Sequence, residues 1–225
     1  MKYVLFILSF LLLSRISHAQ DCASFYLFRQ NATVQYAVYN KKGNANGTLL
    51  YHVFSQTAKG GNITSVLHTT LLNKEGKVLN TGASNIKCNN GTLLMDMKLF
   101  LPQQQTEQFN RANAKIKDAF LEYPGGLKNG DKLKDGMFSM EIDNNGIKQL
   151  LKMQITNRSV TGMEKINTKA GTWNCVVISY QVNLNIQTGP ISIPLNFTAK
   201  EWFAPGTGII KSESETGSTE LVGIK

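Results

Sequence analysis

The chain has 225 residues, 42% of them hydrophobic, enough for one domain with a core that stands alone. Its 24 basic against 15 acidic residues give a net charge of +9, which permits anionic partners. The lysines are scattered, and their densest group, Lys128, Lys132 and Lys134, lies among Gly and Asp as a solvated loop; no aromatic-plus-basic module points to nucleic acid.

The first element is a leader. Lys2 precedes an apolar run from Tyr3 to Leu13, broken only by Ser9, and Ser17-His18-Ala19 forms a small-x-small cleavage site. This pattern predicts a secretory signal peptide over 1–19, too short to span a bilayer. Cys22 raises the alternative of a lipoprotein signal, but Gln20 and Asp21 stand where a lipobox needs small residues. Cleavage after Ala19 leaves 20–225 as a single β-rich extracytoplasmic domain, periplasmic or secreted. No later segment is apolar enough for a transmembrane span.

The hydrophobic period beyond the leader is two. Strands are predicted over 33–39, 48–54, 63–72, 92–97, 115–122, 137–142, 151–160, 172–186, 193–203, 208–215 and 218–224. Turn chemistry separates them: Lys42-Gly43, Gly60-Gly61, Glu75-Gly76, Asn90-Gly91, Asn145-Gly146, Pro205-Gly206 and Thr216-Gly217. One short helix is expected at Pro102 to Arg111, with Pro in its first turn, crossing between an N-terminal meander and a C-terminal set of strands. The fold class is all-β: an antiparallel meander forming a curved sheet, barrel or sandwich. Asn-x-Ser/Thr sequons at Asn31, Asn46, Asn62, Asn90, Asn157 and Asn196 read as turn-and-strand composition.

Chemistry-bearing motifs are sparse. A three-residue loop Lys59-Gly60-Gly61 would place His52 opposite His68, with Val53 opposite Leu67 and Leu49 opposite Leu71. No third ligand is indicated, so no metal is expected there. Asp96, Glu122 and Glu141 come from unrelated strands, and Glu201-Trp202-Phe203 reads as strand and core rather than as a catalytic acid beside a sugar platform. No nucleophile elbow, zinc helix or phosphate loop occurs. No cofactor is implied.

The three cysteines, in an oxidising compartment, allow one internal pair. In an up-and-down meander the turns at 59–61 and 89–91 share the sheet end where the first strand begins. Cys22 and Cys88 are thereby brought together, with 23–32 as slack, and a disulfide between them is predicted. Cys175, inside a strand, is left as a buried thiol.

Two C-terminal blocks, Ala170-Gly171-Thr172-Trp173-Asn174-Cys175 running on to Tyr180, and Glu201-Trp202-Phe203-Ala204-Pro205-Gly206-Thr207-Gly208 running on to Glu213, carry a resemblance. With Cys22 and the Lys41-Lys42-Gly43 turn, their order resembles the exported TapB-like proteins of Bacteroidota, a domain of unknown function. The resemblance covers most of the mature chain and implies an antiparallel β-rich envelope domain. It carries no catalytic residues over, and Trp173 stands where that family more often has Phe.

The function expected is a non-catalytic envelope binding or assembly module, its partner a hydrophobic, lipid-like small molecule or an envelope protein. The concave face is expected to present Tyr36, Val38, Val53, Leu67, Ile178 and Trp202 to the ligand. The alternatives are a hydrolase with a site assembled from separated strands, and a purely structural interaction protein.

Overall fold

A computed structural model describes residues 22–101, 115–116, 119–144 and 146–225. The expected leader and the expected helix at Pro102 to Arg111 lie outside the described residues. Within them the chain is all-β. The strands are β1 (Thr33–Asn40), β2 (Ala45–Lys59), β3 (Asn62–Asn73), β4 (Val78–Asn89), β5 (Thr92–Asp96), β6 (Lys115–Ile116), β7 (Phe120–Tyr123), β8 (Gly136–Asn144), β9 (Ile147–Thr168), β10 (Gly171–Thr188), β11 (Ile191–Ala204), β12 (Gly208–Ser214) and β13 (Gly217–Ile224). Single 3-10 turns occupy Cys22–Ser24, Tyr26–Phe28 and Met97–Phe100.

All thirteen strands belong to one antiparallel sheet, ordered β6-β8-β9-β10-β11-β12-β13-β1-β2-β3-β4-β5-β7. It consists of two meanders joined where the last strand pairs with the first, Val34 opposite Ile224 and Asn40 opposite Gly217. The sheet curls into a nearly closed barrel. Strand twist makes such curling natural, and curling buries the apolar inner face that each strand presents at alternate positions. Tyr36, Val53, Leu67, Ile86, Tyr123, Met153, Ile178 and Leu221 form part of that inner face and are all buried.

Two departures from the sequence reading concern where strands pair. The stretch 115–122 is not one strand. Lys115–Ile116 pairs with β8, while Phe120–Tyr123 pairs with β5, at the opposite margin of the sheet. The other departure is β4, which lies between the expected strands 63–72 and 92–97. Its first half, Val78-Leu79-Asn80-Thr81-Gly82, is polar or exposed, and its inward positions Asn80, Gly82 and Ser84 carry no large apolar side chain before Ile86 and Cys88.

His52 does face His68, with Val53 opposite Leu67 and Leu49 opposite Leu71. The route differs from the one expected. The loop has two residues, Gly60-Gly61, between paired Lys59 and Asn62, and alone would put the histidines on opposite faces. A bulge at Phe54 adds the missing residue and restores the register. His52 bonds Thr33 Oγ1 through Nδ1 at 3.0 Å, and His68 stacks on Phe54 with ring centroids 4.3 Å apart.

The seam of the barrel lies where β7 approaches β8 and β9. Gly136 on β8 is needed there: a Cβ would come within 2.5 Å of Leu121 Cδ2 and 2.8 Å of Met97 Sδ. Across the gap reaches Arg158 of β9. It sits beside Asn157, which has φ 57°, in a bulge opposite Tyr180 where the β9–β10 register slips. The bulge turns Arg158 inward, and its Nη1 donates to the carbonyls of Glu122 at 3.1 Å and Lys134 at 2.9 Å.

One end of the barrel is stoppered by residues 22–32. Phe25, Leu27 and Phe28 are buried, Phe25 lies against Phe203, and Ser24 sits against the turn at Gly206. The disulfide Cys22–Cys88, with Cα atoms 5.6 Å apart, ties this stopper to β4. The pairing is the one expected from the meander. Cys175 is the free cysteine; it is buried, and burial, with Glu164 nearby, pushes its thiol up to about 11.

Candidate functional site

Above the stopper the side chains do not fill the barrel. A cavity of about 600 Å³ opens toward the end that carries the β1–β2, β3–β4 and β12–β13 turns, and Asn40, Asn80 and Thr216 lie on its rim. A volume of this size lies in the ordinary range for small-molecule sites. Its walls are mostly apolar, with Leu49, Leu71, Met95, Phe100, Val182 and Phe197 among them.

Strand alternation decides where each expected ligand residue stands. Tyr36 and Val38, two apart on β1, both line the cavity. Val53, Leu67 and Ile178 face inward too but are wholly buried, at 0% exposure, and are not among the lining residues. Trp202 neighbours inward-facing Glu201 and projects from the outer face. There its Nε1 donates to Glu164 Oε2 at 2.7 Å and Lys211 Nζ stands 4.5 Å from its ring centroid.

The floor of the cavity is polar. Glu201 lies on β11, opposite Ile178, with 1% of its surface exposed. Its Oε1 accepts from the Tyr180 hydroxyl at 2.7 Å and its Oε2 from the Tyr123 hydroxyl at 2.8 Å. Arg158 lies 4.8 Å from the Tyr123 ring centroid, so a cation, a ring and a carboxylate are coupled across the barrel. Tyr36 donates to the carbonyl of Ile209 at 2.8 Å and packs edge-on to Tyr51, centroids 5.5 Å apart.

Burial holds the Glu201 carboxyl above its ordinary value, while Arg158 and the two tyrosine hydrogen bonds pull it the other way. Burial, with Glu201 close by, raises the Tyr51, Tyr123 and Tyr180 hydroxyls; at Tyr36, Tyr51 adds to the same push. These hydroxyls are therefore neutral donors at any physiological pH.

The raised carboxyl has a consequence for stability. Between 4.5, the ordinary value of Glu201, and its higher folded value, the folded chain keeps a proton that the unfolded chain has released. Stability is then greatest below the ordinary value and falls as pH rises through the folded one, at up to about 1.4 kcal/mol per pH unit. Glu201→Gln keeps the shape and removes the titration. Urea denaturation from pH 4 to 8 should show a shallower decline for E201Q than for wild type; parallel curves would mean that Glu201 titrates alike in both states.

This floor was not read from the sequence, where Glu201 appeared only as strand and core. A usable signal was an acidic residue at an inward position of an otherwise apolar strand face, Phe197, Ala199 and Phe203 being its companions. Among the described residues, no group of three or more His, Cys, Asp and Glu is placed to hold a metal ion.

The architecture has relatives of known structure. A Bacteroides fragilis NCTC 9343 protein, described as exported and of YmcC-like fold, superposes with a TM-score of 0.68 at 23% identity, covering 88% of this chain and 96% of its own. A Parabacteroides distasonis ATCC 8503 protein, described as a lipoprotein, superposes with a TM-score of 0.72 at 21% identity, covering 89% and 98%. At these identities the likeness is one of fold. No curated protein matches the chain. The DUF3108-like family model matches residues 29–225, nearly all of the described barrel, and the chain therefore belongs to the DUF3108-like family.

Proposed function

We propose that the protein is an exported, non-catalytic envelope module that holds a hydrophobic or lipid-like molecule in the open end of its barrel. The observation that carries this reading is the cavity of about 600 Å³, apolar in its walls and open at one end. Packed interiors leave few voids larger than a water molecule, so a space of this size is a feature to be explained. Export is supported by the leader-like residues 1–19 and by the disulfide, which belongs to oxidising compartments. The two structural relatives described as exported and as a lipoprotein point the same way. A Cys22 sulfur bonded to Cys88 is not free to carry a lipid thioether, which favours cleavage after Ala19 and a soluble product. The TapB-like likeness of the two C-terminal blocks is part of this reading and agrees with an envelope domain.

The non-catalytic part of the reading rests on Glu201, the cavity's buried carboxyl, whose two oxygens are each engaged by a tyrosine hydroxyl. The test is uptake of a naphthalene-type fluorescent probe. The wild-type protein should bind the probe saturably, and a native mass spectrum of freshly purified protein should show an adduct. Ala199→Phe, which projects a ring into the cavity, should abolish uptake while preserving the β-sheet circular dichroism. Absence of both probe uptake and adduct in the wild type would overturn the proposal.

A further inference from the structure

The polar floor and the open mouth together restrict what the cavity can take. At the floor most groups are already matched. Glu201 is held by two tyrosines, and Tyr36 is bonded to the carbonyl of Ile209. Tyr51 differs. It is 8% exposed and lines the cavity, and its hydroxyl is not among the sealed polar atoms, so it stands open to an occupant of the cavity. A hydroxyl donor open to the cavity is one that a ligand acceptor can engage.

The charges facing the cavity are Glu201, Lys98 and Glu213. Lys98 is paired with buried Asp96 at 3.0 Å, and Glu213 with Lys211 at 2.9 Å. An anionic head brought to the floor would therefore meet Glu201 and find no unpaired cation among the described lining residues. A cationic head would find both Glu201 oxygens engaged by tyrosine hydroxyls and the like charge of Arg158 behind them, 4.8 Å from the Tyr123 ring centroid.

The mouth carries the second observation. β12 pairs with β11 only from Ala199 onward, so residues 191–198 of β11, still paired to β10, overhang the opening. On the same strand face as Ala199 and Phe197, Leu195, Ile193 and Ile191 are 42%, 53% and 64% exposed. This apolar rib runs straight out of the cavity wall.

We propose that the cavity takes a single-chain amphiphile head first, its uncharged hydroxyl-bearing head accepting from Tyr51 beside Glu201 and its hydrocarbon chain leaving along Phe197, Leu195 and Ile193. The proposal rests on the reading of the cavity as a ligand site. It explains both the open Tyr51 donor and the exposed rib with one occupant.

Displacement of the bound naphthalene probe tests it, using three ligands that share a twelve-carbon chain: monolauroylglycerol, dodecanoate at pH 8 and dodecyltrimethylammonium. Monolauroylglycerol should displace the probe at roughly tenfold lower concentration than either charged ligand. Tyr51→Phe should remove most of that advantage, roughly tenfold, while the probe still binds. Ile193→Ser should weaken monolauroylglycerol but leave the six-carbon glycerol ester unchanged. Equal or tighter binding of dodecanoate or of the ammonium ligand, with the probe bound, overturns this inference alone. Failure of the probe and of every amphiphile to bind overturns the ligand-site reading with it.

Discussion

Replacing Arg158 with alanine should lower the unfolding free energy by about 3–5 kcal/mol, the range for emptying a large, fully buried side chain, with two carbonyls left unmatched as well. Arg158 is 1% exposed and is the largest of the fully buried side chains. Its loss strips the donor from two carbonyls, Glu122 and Lys134, that lie on either side of the barrel seam. It also removes the cation that draws Glu201 toward ionisation, so the carboxyl should rise further and the stability–pH curve should steepen toward neutrality. Arg158→Met keeps much of the volume and isolates the electrostatic part. Urea denaturation of the three proteins reads both effects. A cost for R158A below about 1 kcal/mol would mean that apolar packing alone holds the seam shut.

The second large effect concerns the stopper. The Cys22–Cys88 bond closes a loop with a sequence separation of 66, and on the chain-entropy model its removal costs roughly 4 kcal/mol. The double variant Cys22→Ser, Cys88→Ser should unfold at correspondingly lower urea. Its loss should also be local before it is global. Without the bond, Phe25, Leu27 and Phe28 lose the covalent tie that fastens them in the barrel, and their amides should exchange with deuterium well before those of β10. Uniform exchange across the chain would instead show that stopper and sheet open as one unit.

The barrel was legible because its inward faces alternate strictly over most strands, and because Gly and Asn mark the turns. Legibility failed where the period broke. At Leu151, Met153 and Ile155 the inward positions are odd, and at Arg158 and Val160 they are even. That change of parity is the trace of the Asn157–Arg158 bulge, and it was present in the sequence. At Phe54 the same device rescued a register that had been reached through the wrong loop length. β4 was passed over because its outer half lacks inward apolar residues, although the turns at 74–76 and 89–91 already required a strand between them.

The cavity belongs to a different level. Val53, Leu67 and Ile178 have the same inward pattern as Tyr36 and Val38, so alternation cannot tell lining from filler. The difference is height along the barrel, set by how far Phe25, Phe28 and Phe203 fill it from the stoppered end. Glu201 is legible as inward but not as polar floor, because its tyrosines come from β7 and β10, distant in the chain.

With Phe25 and its neighbours wedged in one end and the disulfide fastening them, the described part of the barrel is a flask rather than a pipe. Among the described residues the way in is also the way out, past the β10–β11 overhang. Loading and unloading then share one transition state, and a substitution on the overhang should change both rates by the same factor while leaving the equilibrium nearly untouched, unless the occupant still touches that residue when seated. Traffic through such a vessel is controlled at the lip.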